Sequence, residues 1–254
     1  MPKVPNPPLV LTRPADQAAS WLEALTALEV PVCSLPLIAV SRVQEAIAPS
    51  RAALSSARAV FFTSPAAVQA LWQGSALAWP RHLLAMCVGP GTAAALRAQG
   101  VARVLSPPSD AEQFDSEALW PLLQAERPWQ GERVLWLRGD GGRDWLIERL
   151  RGEGALVDVQ TIYRRSAAPL PEAQLQALLA SPALWLFSSS EALGHLAAAR
   201  PELAASPPPA LFTHSRIADS ARALGWQLGG AKVVPPRPAD VALAYHAWVA
   251  ELAT

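Results

Sequence analysis

The chain has 254 residues, 51% hydrophobic and 17% charged, which supplies buried cores and excludes a disordered or low-complexity protein. Lysine plus arginine and aspartate plus glutamate both number 21, so no global field steers the chain to nucleic acid or a membrane surface. Any anionic ligand has to be met locally, and the length predicts two domains of ordinary size.

The opening stretch "MPKVPNPPLV" lacks the continuous apolar core of a signal peptide, and no apolar run approaches membrane-spanning length. A soluble, cytoplasmic protein is expected. "LVLT" reads as a short strand. "ADQAASWLEALTALEV" then puts Ala18, Trp21, Leu22, Leu25 and Leu28 on one helical stripe. Further strands are predicted at "VPVCSLP", "AVFFTS", "AMCVG" and "ARVLS", each leading toward an amphipathic segment. Cys33 and Cys87 stand alone in two of these runs without a CxxC, as buried structural thiols of a reducing compartment would. The 25 prolines gather at predicted element ends, as in "SPPSD" and "VVPPRPAD". The tryptophans, Trp21, Trp72, Trp136 and Trp145 among them, fall on apolar stripes and are expected in the core.

The chain repeats itself. Phe62 of "AVFFTSPAAVQAL" and Phe187 of "LWLFSSSEALGHL" are 125 residues apart. The same offset lays "MCVGPGTAAALRAQG" on "LFTHSRIADSARALG", Gly100 on Gly225, and "LVLTRPADQAASWLEAL" on "VLWLRGDGGRDWLIERL", Arg13 on Arg138 and Leu25 on Leu150. Alternating strands and helices predict parallel sheets with helices on both faces. Right-handed crossovers then place every strand-to-helix turn at the carboxyl edge of its sheet, where open α/β sheets bind ligands.

Several motifs sit at those turns. "VGPGTAA" (Gly89, Gly91, Ala94) fits a dinucleotide fingerprint, but its acidic ribose partner would have to be Asp110, in a stretch that does not read as a strand end. A tight turn is the favoured reading, with a nucleotide-binding oxidoreductase as an alternative that calorimetry with NAD or NADP would remove. "GDGGRDW" lacks the Lys-Ser/Thr of a phosphate loop; a plain Gly-rich turn and an anion site at a helix N-terminus assisted by Arg143 are equally open. The hydroxyls of Thr12, Thr63, Ser64, Thr92, Ser188, Ser189 and Ser190 all read as strand ends before helices, where N-capping explains any one of them. His82, His195, His214 and His246 are scattered, G-x-S-x-G is absent and metal-ligand spacing is lacking, so neither a hydrolase triad nor a metal site is supported. Nor do basic residues alternate with aromatics as a nucleic-acid interface requires. Tyr163 ends the strand-like run "VQTIY" and precedes Arg164 and Arg165.

In order and spacing, "LVLTRPADQAASWLEAL…LPLIAV", "VFFTSPAAVQAL", "CVGPGTAAALRAQG", "GERVLWLRGDGGRDWLIERLRGEGALVDVQTIYRR" and "LFTHSRIADSARALGW" resemble the uroporphyrinogen-III synthase family. The resemblance implies two similar α/β domains, each with a five-stranded parallel sheet flanked by helices, joined by a two-stranded linker. The chain would cross near 36–40 and return near 163–169. One domain would comprise 1–37 plus 167–254, the other 38–166.

The resemblance also implies a reaction without metal or organic cofactor. Linear hydroxymethylbilane, supplied by a bilane-forming enzyme, closes to uroporphyrinogen III with loss of water and inversion of ring D through a spiro intermediate. Tyr163 matches the family's tyrosine and would protonate the departing hydroxyl or hydrogen-bond a water that does. Thr12, Arg13, Thr63, Ser64, Gly89, Thr92, Arg138, Gly142, Arg143, Ser188, Ser189, Ser190 and Ser215 match substrate-gripping positions and would hold carboxylates as the two jaws of one clamp. A monomer is the family expectation. "THSRIA" departs from the family's Gly-Pro-Thr-Thr-like turn, so hydrogen bonds from a threonine there would have to come from Ser215, Arg216 or the backbone. A non-catalytic tetrapyrrole- or anion-binding module is the alternative in a different class.

Overall fold

A computed structural model describes residues 6–74, 76–108, 111, 113–228 and 232–252. The first five residues and Asp110 lie outside them. In chain order the elements are β1 (Leu9–Leu11), α1 (Ala15–Ala27), β2 (Val32–Ser34), β3 (Ile38–Arg42), α2 (Gln44–Ala53), β4 (Ala59–Phe62), α3 (Pro65–Trp72), β5 (Leu84–Met86), α4 (Pro90–Ala98), β6 (Val104–Leu105), α5 (Ser116–Ala125) and β7 (Arg133–Arg138). They continue as α6 (Trp145–Gly152), β8 (Leu156–Thr161), β9 (Tyr163–Ala167), α7 (Glu172–Ala180), β10 (Leu184–Phe187), α8 (Ser190–Ala199), a 3₁₀ turn (Pro201–Ala204), β11 (Ala210–Phe212), α9 (Ser215–Ala223), β12 (Lys232–Val233) and α10 (Pro238–Leu252).

Two units result. One takes the chain up to Ala39 and from Ser166 onward; the other is Val40–Arg165. The first holds a sheet ordered β12-β11-β10-β1-β2, the second a sheet ordered β6-β5-β4-β7-β8. The pairings in both sheets are parallel. Moving 125 residues along the chain carries Ala59–Phe62 of β4 onto Leu184–Phe187 of β10, and the two strand orders then correspond one for one. The chain crosses at β3 and returns at β9, which pair as a two-stranded sheet. The Val43 N–H donates to Ile162 O at 3.0 Å and the Ala168 N–H to Leu37 O at 3.1 Å, so the numbering falls along one strand as it rises along the other, an antiparallel pair.

The strand sequences are apolar on both faces because each sheet is covered twice. In β4, Val60 and Phe62 enter one core cluster, Ala59 and Phe61 the opposite one, where Phe61 stacks on Trp136 at 3.8 Å. In β10, Trp185 and Phe187 pack on one side, Leu184 and Leu186 on the other. Three expectations need correction. Leu28 is 40% exposed, because it lies past the last turn of α1. Cys33 is only part-buried, with Gln174 Nε2 at 3.3 Å from its sulfur. Pro49 and Pro121 lie inside α2 and α5 rather than at element ends.

Cys87, by contrast, is buried, and desolvation pushes its thiol up to about 11, opposed by the charge of Arg97. Ordinary thiols ionise near pH ~8.5. The stability carried by the neutral Cys87 is therefore fully present below about pH 8.5 and is lost as pH rises toward 11. Iodoacetamide at pH 8 should modify Cys33 first, and Cys87 only after unfolding. Mass spectrometry of the labelled peptides checks the order, and equal rates would contradict the burial.

The repeat is legible in helix ends. After α1, α4, α6 and α9 the chain turns through a left-handed residue: Glu29 (φ 59°), Gly100 (80°), Gly154 (84°) and Gly225 (83°). In all four, that residue and its successor donate back into the last turn, as with Glu29 to Thr26 O and Val30 to Leu25 O, both at 3.0 Å. Glu29 and Gly154 are again 125 residues apart. A side chain in this conformation costs about 1–2 kcal/mol. Glu29→Gly should therefore stabilise the protein by up to about 1 kcal/mol, net of glycine's greater unfolded-state entropy. A higher midpoint in urea at unchanged slope is the expected reading.

Candidate functional site

In the unit Val40–Arg165 the turns after β4, β5 and β7 and the end of β8 lie at one edge of the sheet. β8 runs beside β7 with Arg138 opposite Thr161. The Ile162 N–H then donates to Arg138 O at 2.9 Å, which sets Tyr163 beside Gly139. The phenol end of the Tyr163 ring packs against that glycine: a methyl group at Gly139 would stand 2.6 Å from Cζ, 2.7 Å from Cε2 and 2.9 Å from the hydroxyl oxygen. Ile162 and Tyr163 both belong to the core cluster beneath, and Tyr163 is 7% exposed.

Ser64 ends the turn after β4. Its Oγ lies 3.0 Å from the Tyr163 hydroxyl and accepts the Ala67 N–H at 3.3 Å as the N-cap of α3, with Pro65 opening the helix. Thr63 turns its hydroxyl toward Leu137 O at 3.4 Å. Gly89 is the N-cap of α4 and Thr92 sits 3% exposed in its first turn. Arg138 pairs with Asp144 at 2.6 Å while its Nε is buried without a partner. Gly142 takes φ +136°, which only glycine adopts readily, with Arg138 Nη1 nearby. Arg143 is exposed and held by Glu117 of α5 at 3.0 and 3.3 Å. The guanidinium is thus occupied in this structure, rather than standing open at the Gly-rich turn.

The other unit presents a matching set. Arg13, at the end of β1, lies over the Trp21 ring at 4.1 Å. Its Nε is buried without a partner, and burial pulls its pKa below the ordinary guanidinium value. Thr12 is fully buried, its hydroxyl donating to Leu186 O at 2.7 Å, so it locks β1 to β10 and has no proton left for a ligand. Ser188 follows β10, half-buried; Ser189 caps α8 through the Ala192 N–H at 3.5 Å; Ser190 meets Ser220 Oγ at 3.0 Å. Ser215 opens α9, exposed, 3.5 Å from His214 Nδ1.

Sequence reasoning missed two of these groups. His214 accepts the Arg216 N–H at 3.1 Å through Nδ1 and so caps α9, which requires the tautomer with a bare Nδ1. The 125-residue offset could have found it, since His214 falls on Gly89, the cap of α4. The cap at this divergent turn is therefore the imidazole. Gly139 was legible only with the β7–β8 register in hand. Among the described residues no cluster of metal-ligating side chains occurs, and no helix is long and apolar enough to cross a membrane.

The model of one protein family, uroporphyrinogen-III synthase HemD, matches residues 19–244. The chain belongs to the uroporphyrinogen-III synthase family. It is 36% identical over 115 residues to the uroporphyrinogen-III synthase of Proteus mirabilis, covering 44% of this chain and 56% of that one. Against that of Salmonella typhimurium it is 32% identical over 164 residues, 63% of this chain and 65% of that one. The chain thus aligns with somewhat over half the length of these relatives. Among solved structures, uroporphyrinogen-III synthetase of Helicobacter pylori 26695 shares the fold at TM-score 0.62 and 17% identity, over 95% of this chain and 98% of the other. A mutant uroporphyrinogen III synthase from the extremely thermophilic bacterium Thermus thermophilus does so at 0.52 and 18%, over 96% and 99%. The two parallel five-stranded sheets flanked by helices are the family's architecture.

Proposed function

We propose that this protein is a cofactor-independent lyase of tetrapyrrole biosynthesis that converts hydroxymethylbilane to uroporphyrinogen III. The observation that carries the reading is Tyr163, its hydroxyl held at the carboxyl edge of a sheet by Ser64 and its ring by Gly139, in a chain of this family. The reaction begins when the hydroxyl on ring A takes a proton and leaves as water. Electron density from the pyrrole nitrogen drives the departure, so the protein has only to deliver a proton and hold the product azafulvene. Tyr163 is the proton donor.

The substituted carbon of ring D then attacks the electrophile to give the spiro intermediate. That intermediate fragments and recloses with ring D inverted, and loss of a proton restores aromaticity. Holding the bilane in the folded shape that permits this attack supplies a large share of the rate. The acetate and propionate groups are the handles. In each unit an arginine with a buried, unpartnered Nε, Arg13 or Arg138, stands at the end of the corresponding strand. The helix N-termini that open at Gly89, Ser189 and His214 offer backbone N–H groups at the same sheet edges. Ser188 and Ser215 add hydroxyls, and Thr12 contributes only by fixing β1 against β10.

Incubation with hydroxymethylbilane tests the proposal through the isomer produced. Type III in excess of the spontaneous type I supports it, and type I alone overturns it in favour of a non-catalytic tetrapyrrole-binding module.

A further inference from the structure

In the hydrogen bond between Ser64 and Tyr163 the serine hydroxyl donates to the phenol oxygen. A serine hydroxyl has one proton and two lone pairs. One lone pair of Ser64 Oγ receives the Ala67 N–H at 3.3 Å, and its proton goes to the phenol oxygen 3.0 Å away. If Ser64 donates, the phenol cannot point its own proton back at Ser64. The ring beside it occupies the space that a side chain at Gly139 would fill. The chain of donors runs from the N-terminus of α3, where the backbone amides are polarised positive, through Ser64 to the phenol oxygen.

We infer that Ser64 is a positioning residue for the acid step: it turns the Tyr163 proton outward and stabilises the oxygen once that proton has gone. This rests on the reaction proposed above and reassigns Ser64, which the family resemblance placed among the residues gripping substrate carboxylates. The two roles differ in what they do to the kinetics. A carboxylate grip acts on ground and transition state alike and shows in KM. A donor to the phenol oxygen strengthens as negative charge develops there, and so shows in kcat.

The variants are Ser64→Gly, Ser64→Thr and Ser64→Gly in the Tyr163→Phe background. Glycine removes the hydroxyl yet starts a helix nearly as well as serine, so α3 is kept. We expect Ser64→Gly to lower kcat for the type III isomer about 10-fold with KM within about two-fold. Ser64→Thr should restore most of it, and in the Tyr163→Phe background Ser64→Gly should cost nothing further. A rise in KM at unchanged kcat, or an equal loss with and without the Tyr163 hydroxyl, would overturn the inference.

A second readout needs no turnover. The chain has only two tyrosines, Tyr163 and Tyr245, so tyrosine labelled with carbon-13 at Cζ gives two signals, assigned with Tyr163→Phe. Cζ carries the phenol oxygen, so losing a donor to that oxygen changes its shielding. Ser64→Gly should shift the Tyr163 signal, Ser64→Thr should return it toward the wild-type position, and Tyr245 should stay in place in both. A Tyr163 signal that ignores Ser64 would overturn the inference whether or not the protein forms type III. If wild type forms no type III but the Tyr163 signal responds to Ser64, the reaction is wrong and the hydrogen bond stands.

Discussion

Tyr163→Phe should lower kcat for uroporphyrinogen III by about 100-fold and leave the fold intact. The ring, which is the buried part, stays against Gly139 and in the core cluster with Ile162 and Phe62. Only the oxygen that meets Ser64 is lost. Ser64 retains the Ala67 N–H and can turn its proton to water, so the loss of stability should stay within about 1 kcal/mol. Some turnover should remain, because the substrate's own nitrogens drive the hydroxyl out and the folded shape is held by other residues. Steady-state kinetics on the two proteins, with matched thermal unfolding, measures both quantities. Activity near that of wild type would remove Tyr163 as the acid.

Gly139→Ala should be worse. The added methyl would stand 2.6 to 2.9 Å from three atoms of the Tyr163 side chain, distances that no carbon contact sustains. Those atoms belong to an aromatic ring that is 7% exposed, so the ring has to leave its place in the core or the ends of β7 and β8 have to part. Either response costs about 1–3 kcal/mol, and either carries the hydroxyl away from Ser64. We expect activity to fall at least as far as in Tyr163→Phe, together with a drop in stability that Tyr163→Phe does not show. A double-mutant cycle isolates the cause. In a Tyr163→Ala background the clash is gone, and Gly139→Ala should cost less than about 0.5 kcal/mol. An undiminished cost there would mean that the glycine serves the backbone and not the tyrosine.

How much of this could be read from the sequence differs by element. The strands β4 and β10 were legible because a parallel sheet covered on both faces leaves continuous apolar runs, and "AVFF" and "LWLF" have no other use. The duplication was legible because turn chemistry repeats with it: Gly100 and Gly225 end equivalent helices in the same left-handed conformation. Glu29 shows the limit of that signal, since the same turn is made there by a residue that gives no hint of it.

At the site, Ser64 and Ser189 were recognisable as helix openings from the residues that follow them. What each hydroxyl does was not, because the partner of Ser64 lies 99 positions away and is brought beside it only by the β4–β7–β8 order. Thr12 misled for the same reason: its bond to Leu186 depends on a strand 174 residues later. Arg143 looked open because Glu117 is on a different helix, and the sequence holds no sign that α5 and α6 approach each other. His214 escaped notice because an imidazole is an uncommon N-cap.

Whether this chain inverts ring D is read from the isomer of the product. Hydroxymethylbilane generated in situ is incubated with the purified protein, the porphyrinogens are oxidised, and type I and type III uroporphyrin are separated chromatographically. Spontaneous closure gives type I. Wild type should give type III as the main product, and Gly139→Ala should return the mixture toward type I. Type I alone from the well-folded wild-type protein would contradict it.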